Sequence, residues 1–570
     1  MSVMHIWVRR SFALVGGTGL VLGLAVGTPT AAAATTRQVT TTADSGPGSL
    51  REAVTNATDG DTVTFAPAVT GTIALQSPLL IESNVTITGP GEGVLTIDGG
   101  NQVQDVIVAG SSGTATISDL TISHGKGTTG GAIKDESGRS LTLLRVAVTD
   151  STASVDGGGI YVSGTQHLQV IESTVSGNSA PEGGGIYADL PPSGELIVQS
   201  STISGNTATS GQGAGIYAAG HPTTVAGSLR KGSASPHAVV PPKPPPPPTP
   251  LPTSVGAVII TTSTIAKNTA GGTNSALFLH QLDSVSALTS NTIALNAATG
   301  LSLDNPGGDH PTLAASIVAH NAADCAGASL ADQGYDIDSD GSCSFGATGS
   351  HSHSNQIDAA LGPLRDNGGP TTTIAISATG DPAHALVPAA FTAAGVSAAV
   401  CSLPDQRGAL PASVPCDAGA FQHEPGPKIS AKVHSKSHKT HYGWYNSPVR
   451  VTFTCLAGAT SIAVTCTHDV LLKHNGRNQR ATGKAHTQDG LSATTSVHGV
   501  NIDRTAPTIH GAKSGHTYSN TPTITCKDAL SGIARCAIDR HKHGKRVDYS
   551  VTAVDKAGNA TTSKGTYQLS

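Results

Sequence analysis

Gly157-Gly158-Gly159-Ile160-Tyr161, Gly183-Gly184-Gly185-Ile186-Tyr187 and Gly213-Ala214-Gly215-Ile216-Tyr217 are one phrase written three times, with a shorter form in Gly130-Gly131-Ala132-Ile133. The isoleucine recurs after 27, 26 and 30 residues. A second phrase alternates with it: Leu120-Thr121-Ile122-Ser123, Ser173-Thr174-Val175-Ser176-Gly177-Asn178 and Ser201-Thr202-Ile203-Ser204-Gly205-Asn206. A repeat of this length marks a solenoid. Alternation within Val85-Thr86-Ile87-Thr88 puts Val85 and Ile87 on one face. Such strands, stacked in parallel about 4.8 Å apart, make a sheet that coils on itself. Ile, Val and Leu form inward ladders and Thr, Ser and charged residues face out. The expected fold is an all-β parallel β-helix, placed at residues 66–321.

Register locates an interruption. The asparagine closing the second phrase steps by 28 from Asn178 to Asn206, by 62 to Asn268 and by 28 to Asn296. Residues 241–252 are almost all proline, which cannot join a sheet ladder. Removing residues 221–254 takes out 34, and 62 − 34 = 28. The segment therefore reads as a loop thrown out of one coil, a stiff spacer or a docking peptide for a proline-binding partner.

Before the solenoid, residues 35–65 read as an N-terminal cap. Ser49-Leu50-Arg51-Glu52 opens a short helix, with Ser49 bonded to the Glu52 amide and Glu52 reaching back to the Ser49 amide. Leu50, Ala53, Val54 and Ala57 share a face that covers the first coil. After Asn321 the repeat fades, and residues 322–427 read as an irregular C-terminal cap. From 428 onward, alternating strands such as Val449-Arg450-Val451-Thr452-Phe453-Thr454-Cys455 predict two small β-sandwiches, at 428–503 and 504–570.

The first 34 residues read as an export signal: Arg9 and Arg10, an apolar stretch at 12–26, then Ala31-Ala32-Ala33-Ala34. Arg9-Arg10-Ser11-Phe12 partly resembles a twin-arginine signal, but Ala13 and Leu14 weaken the match, so general secretion is favoured with the twin-arginine route left open. No later stretch is apolar enough to span a bilayer, so the mature protein is expected outside the cell or at its surface. The net charge of −5 gives no basic footprint for nucleic acid. The His/Lys-rich run at 434–441 reads as a solvated linker. In an exported chain eight cysteines suggest disulfides. They cluster as neighbours, Cys325 with Cys343, Cys401 with Cys416, Cys455 with Cys466 and Cys526 with Cys536.

With these residues in view, the chain resembles secreted bacterial proteins built of right-handed parallel β-helix repeats with a cysteine-bounded C-terminal cap. Gly48-Ser49-Leu50-Arg51-Glu52-Ala53 is similar to their Cys-Ser-Leu-Arg-Glu-Ala motif, with glycine in place of cysteine. The Gly-Gly-Gly-Ile and Ser-Gly-Asn phrases resemble polymorphic outer-membrane protein repeats. The cap resemblance is carried by Leu361-Gly362-Pro363-Leu364, Asp366-Asn367-Gly368-Gly369-Pro370-Thr371, Asp405-Gln406-Arg407-Gly408 and Cys416-Asp417-Ala418-Gly419-Ala420-Phe421. Asp503-Arg504-Thr505-Ala506-Pro507 and Asp555-Lys556-Ala557-Gly558-Asn559 resemble bacterial immunoglobulin-like modules. The resemblance implies fold and an extracellular or surface location. It implies no single activity.

Parallel β-helices include pectin-cleaving enzymes, which need paired carboxylates or an Asp-rich calcium site with an arginine base. This chain has no Asp-Asp pair, and its only tryptophans are Trp7 and Trp444. No catalytic residue is assigned. Two candidate sites remain. Tyr161, Tyr187 and Tyr217 align one residue after the inward isoleucines and so point outward. They read as a self-stacked ladder or as a glycan-binding surface. Asp336, Asp338 and Asp340 before Gly341 have the odd spacing of a calcium loop without its closing glutamate. They read as an acidic turn or a structural calcium site, and no other cofactor is implied. The leading expectation is an adhesin-type protein that binds polysaccharide or cell-surface glycan. The alternatives are a polysaccharide lyase or glycoside hydrolase, and a structural component of an extracellular matrix.

Overall fold

The computed structural model describes residues 34–570, apart from 105, 109–112, 222–255, 273, 306–309, 377–380, 412–414, 424–425, 458–463 and 488–491. The expected export signal and almost all of the proline segment lie outside the described residues. What remains is all-β, with short helices at Leu50–Thr55 and Gln356–Ala360. Its body is a parallel β-solenoid with three faces. One representative coil runs through His167–Ile171, Thr174–Ser176, Ser179–Ala180 and Ile186–Leu190. The first two strands belong to one long sheet that bends round a corner, and the others to separate five- and nine-stranded sheets.

Each corner needs a residue in the left-handed region. At the Gly-run corner Gly157 has φ 66°, and a Cβ there would sit 2.5 Å from the Ile160 carbonyl. A Cβ on Gly184 would sit 2.4 Å from the Thr207 carbonyl of the next coil. The repeated glycines are therefore where coils touch through bare backbone. The second corner mixes glycines, Gly177 and Gly205, with residues such as Asp150 and Lys267, and the third uses side-chain-bearing residues in successive coils. Asp119, Arg145, Glu172, Ser200, Thr262, Ser290 and Ala315 form one column, with φ between 45° and 58°. Such geometry is disfavoured for each residue alone, and the coil pairing on both sides holds it.

The Ile register persists through the stack: Ile133, Ile160, Ile186, Ile216, Leu277 and Leu301 are paired in turn and fully buried. Pairing also crosses the proline segment without a slip, Leu196 to Val258 and Ile203 to Ile265. The segment leaves and re-enters at one place, since a Cβ on Gly220 would lie 3.0 Å from the Gly256 amide.

Inside one corner runs an amide ladder. The Asn178, Asn206, Asn268 and Asn296 side-chain amides each donate to the Oδ1 of the next asparagine, ending at Asn321, at 2.8–3.1 Å. Each also donates to a carbonyl of the preceding coil, as Asn206 does to Val175 at 3.0 Å. Each Oδ1 also accepts the backbone amide of the preceding asparagine. The buried polar groups of that corner are thus satisfied from coil to coil.

At the N-terminal end the helix Leu50–Thr55 buries Leu50 and Val54 over the first coils. Ser49 Oγ accepts the Glu52 amide at 3.1 Å as expected. Glu52 reaches the Gly48 amide rather than that of Ser49.

Parallel pairing runs on past Asn321, where the sequence repeat fades, through Ala323–Gly327, Ala331–Asp332 and Ile337–Asp338. The residues beyond fold back as a strap along the side of the solenoid. Gln406 is its central rivet: it bonds Thr202 and Thr264 of two coils at 2.8 and 2.6 Å, and Thr371 of the strap. Ala420 N donates to Thr292 Oγ1, and Gly419 N to the Ala315 carbonyl. The strap closes on a fully buried ion pair, Arg407 to Asp405 at 2.7 Å, with the guanidinium 3.8 Å from the Phe421 ring centre. Under it Thr202–Ser204, Thr264–Ala266 and Thr292–Ala294 are buried on both faces.

The C-terminal residues form two modules of paired small sheets. The first packs Lys428–Ser435, Val449–Leu456 and Val470–Leu472 against a four-stranded sheet, around Val449, Val451, Val500 and Ile502. The second repeats the plan around Val547, Tyr549, Val551 and Tyr567. The four neighbouring cysteine pairs are disulfide-bonded.

Replacing Asn206 by Ala should remove one rung of the ladder and strand buried partners on two coils. A loss of about 3 kcal/mol is expected, read by urea unfolding. Joining residue 221 to 256 with a short glycine linker should leave the melting temperature within about 2 °C of the parent. Arg407→Ala should destabilise by about 3–5 kcal/mol, because it leaves a buried carboxylate without its partner.

Candidate functional site

The exposed face of the nine-stranded sheet is built by simple alternation. In Ile160–Ser163 and Ile186–Leu190 the isoleucine points in and the next residue out. Register then places Tyr161, Tyr187, Tyr217 and Phe278 in one row. Ring centres are 5.4, 4.6 and 5.2 Å apart, and the tyrosine planes are within 13° of parallel. The rings stack like coins along the solenoid axis. Both faces of Tyr187 are therefore covered by neighbours, and the row presents edges and hydroxyls to solvent. Burial, and then neighbouring Tyr217 and the acids Asp156, Asp189 and Glu182, hold the Tyr187 hydroxyl far above its usual range. These phenols stay neutral, as donors and acceptors.

Phe278, which the sequence reading did not single out, ends the row. Beyond it register places Ser302 and then Ala326, both small. A hollow opens there, lined by Phe278, Ser302, Asp304, Asn305 and Gln212. Its signal was present: Leu277-Phe278 pairs with Ile216-Tyr217 once the proline segment is discounted.

Polar rows border the rings. On one side Ser163 donates to Asp189 at 2.9 Å, His221 pairs with Asp189, and His280 with Asp304 at 3.0 Å. On the other, Asp156 and Glu182 are bridge partners on adjacent coils. Burial raises both carboxyls above their usual range, and Asp156 raises Glu182 further.

The acidic run divides. Asp338 and Asp340 converge with Asp324, their carboxylate oxygens within 4.8 Å of one another. Asp336 does not join them. Asp324 takes the amides of Ser339 and Asp340, Asp338 those of Cys343 and His353, and Asp340 those of Ser342 and Asp324. The group thus folds its own loop, beside the Cys325–Cys343 disulfide. Asp503, Asp528 and Asp555 make a similar group where the two C-terminal modules meet, which sequence reasoning missed because its members lie far apart in the chain.

Asp336 is fully buried. One oxygen accepts the Ser316 amide at 2.8 Å, and among the described residues the other has no hydrogen-bond partner. Burial first, then the adjacent Asp332, drive its carboxyl well above the usual range. Asp332, held down by the Ala347 and Gly346 amides, is the ionised member. Of the two, Asp336 is the acid that keeps its proton to higher pH.

A carboxyl raised by folding favours the folded state while protonated. That contribution is present below the unfolded value of about 3.9 and is lost as pH rises through the folded one. Asp336→Asn keeps the acceptor for Ser316 and removes the titrating carboxyl beside Asp332. It should therefore leave stability at pH 4 nearly unchanged and raise it at pH 8, as measured by melting temperature against pH.

Among the described residues no helix is long and apolar enough to cross a membrane. A family model described as a right-handed β-helix region matches residues 76–229, 154 of the chain's 570 residues. No curated protein and no solved structure matches the chain. The matched stretch spans the Gly-Gly-Gly-Ile-Tyr coils, and with the coiled parallel sheets it makes this chain a right-handed parallel β-helix repeat protein.

Proposed function

We propose that this is a secreted or cell-surface protein of adhesin type that binds a polysaccharide or cell-wall glycan on its aromatic face. The observation that carries the reading is the row Tyr161, Tyr187, Tyr217 and Phe278, left open while the strap covers another face. An extended row of ring edges and hydroxyls suits a linear polymer lying along the solenoid axis. The hollow beside Phe278 suits one sugar ring stacked on an aromatic face. Asp156, Glu182, Asp189 and Asp304 border the site, so neutral or amino sugars fit it and polyuronates meet like charge. Four disulfides fit an oxidising location. The two C-terminal modules serve as spacers.

Asp156 and Glu182 favour a second reading, glycoside hydrolysis, because a raised carboxyl next to another acid suits general acid work. Sugar release from a neutral polysaccharide, abolished by Glu182→Gln, would establish it in place of simple binding.

The binding reading is tested with a glycan array and retention on insoluble polysaccharide. Phe278→Ala together with Tyr217→Ser should weaken retention by about 10–100-fold, from the loss of about 1–3 kcal/mol of ring contacts. The fold should be unchanged by circular dichroism. Undiminished retention would remove the aromatic face from consideration.

A further inference from the structure

The strap holds a cluster that the glycan reading does not use. His384 Nδ1 lies 2.8 Å from Asp417 Oδ1, and His423 Nδ1 lies 2.9 Å from Asp417 Oδ2. The two rings meet edge to face with centres 4.7 Å apart. Asp417 is 4% exposed and His423 10%, while His384 is 37% exposed and forms the mouth. Among the described residues neither ring's Nε2 has a hydrogen-bond partner.

The backbone fixes this arrangement. Val387 and Cys416 exchange both amide bonds at 2.8 and 2.9 Å, and Ala418 N donates to the Ala383 carbonyl. The Cys401–Cys416 disulfide anchors the residue before Asp417. Gln422 closes the loop by bonding both the amide and the carbonyl of Asp417. Each Asp417 oxygen also accepts one backbone amide, Ala385 N at 2.8 Å and His423 N at 2.6 Å. Those two bonds orient the carboxylate so that Oδ1 faces His384 Nδ1 and Oδ2 faces His423 Nδ1.

We propose that His384, Asp417 and His423 bind one divalent transition-metal ion of the zinc class, clipping the strap's 383–387 segment to its 416–423 segment. Two imidazoles and a carboxylate are a zinc-type donor set. Ligand atoms about 2.1 Å from a tetrahedral ion stand about 3.4 Å apart, so each Asp417 oxygen and its facing Nδ1 would separate by about half an ångström, and the ligand atoms of all three residues already lie within 4.8 Å of one another. The ion takes the place of the protons now shared between Asp417 and each Nδ1. The exposed side at His384 leaves a position for water. The Asp417 amide bonds become the outer shell that fixes ligand geometry. The Asp324 group differs, because its carboxylates converge on their own loop's amides and it contains no imidazole.

The test uses the full chain stripped with a chelator and titrated with ZnCl2 by calorimetry. One tight equivalent and a higher melting temperature are expected, with the visible absorption of four-coordinate Co2+ when cobalt replaces zinc. His384→Gln, at an exposed position, should weaken that equivalent by at least about tenfold and leave the metal-free melting temperature unchanged. Replacing His434, His438 and His441 together by Gln should leave it intact. Either no zinc binding by the parent chain, or equal binding by His384→Gln, would overturn the site and leave a hydrogen-bonded clamp only. Neither result bears on glycan retention.

Discussion

A coil that turns sharply must bury backbone amides at its corners, and in a solenoid the same corner recurs in every turn. The asparagine ladder answers this. Each amide side chain serves its own corner, the coil before it and the asparagine after it. Because one residue type at one height satisfies all of these bonds, a slip of a single residue would orphan several buried groups at once. That penalty fixes the register more tightly than apolar ladders of Ile, Val and Leu could, since those tolerate exchange. It also explains how the pairing of Asn206 with Asn268 holds across the proline segment.

Fixed register is what makes a surface. Once Ile160, Ile186 and Ile216 are locked inward, Tyr161, Tyr187 and Tyr217 have no choice but to stand in line outside. The ring spacing is the coil spacing. The strap then decides which face stays available. Gln406, Ala420 and Gly419 tie it over the strands Thr202–Ser204, Thr264–Ala266 and Thr292–Ala294, away from the rings. A long edge-rich solenoid is thus covered on one side and left open on another, and the closing of the strap by Arg407, Asp405 and the 416–423 loop bears on the same division.

Much of this was legible in the residues. The Ile and Asn periods gave the coil, and discounting 34 residues recovered the register. The neighbouring cysteines indicated their own pairing. Three things were hidden. The corner column of Asp119, Arg145, Glu172 and Ser200 mixes chemistries, so only the coil geometry reveals its shared left-handed conformation. Gln406 bonds Thr202 across 204 residues, a contact no local pattern announces. The aspartates at 336, 338 and 340 look like one group by spacing, yet Asp336 turns into the core toward Asp332 while the others meet Asp324. Alternation assigns faces within a regular strand, and it fails where the chain leaves the strand for a loop.

On the glycan-binding proposal the open aromatic face is the ligand surface. Hydrogen–deuterium exchange of the full chain, with and without the polysaccharide that retains it, tests this most directly. Protection confined to strands Ile160–Ser163, Ile186–Leu190, Ile216–Gly220 and Ser275–His280 is the predicted result. Protection confined to the strap or to the two C-terminal modules would contradict it.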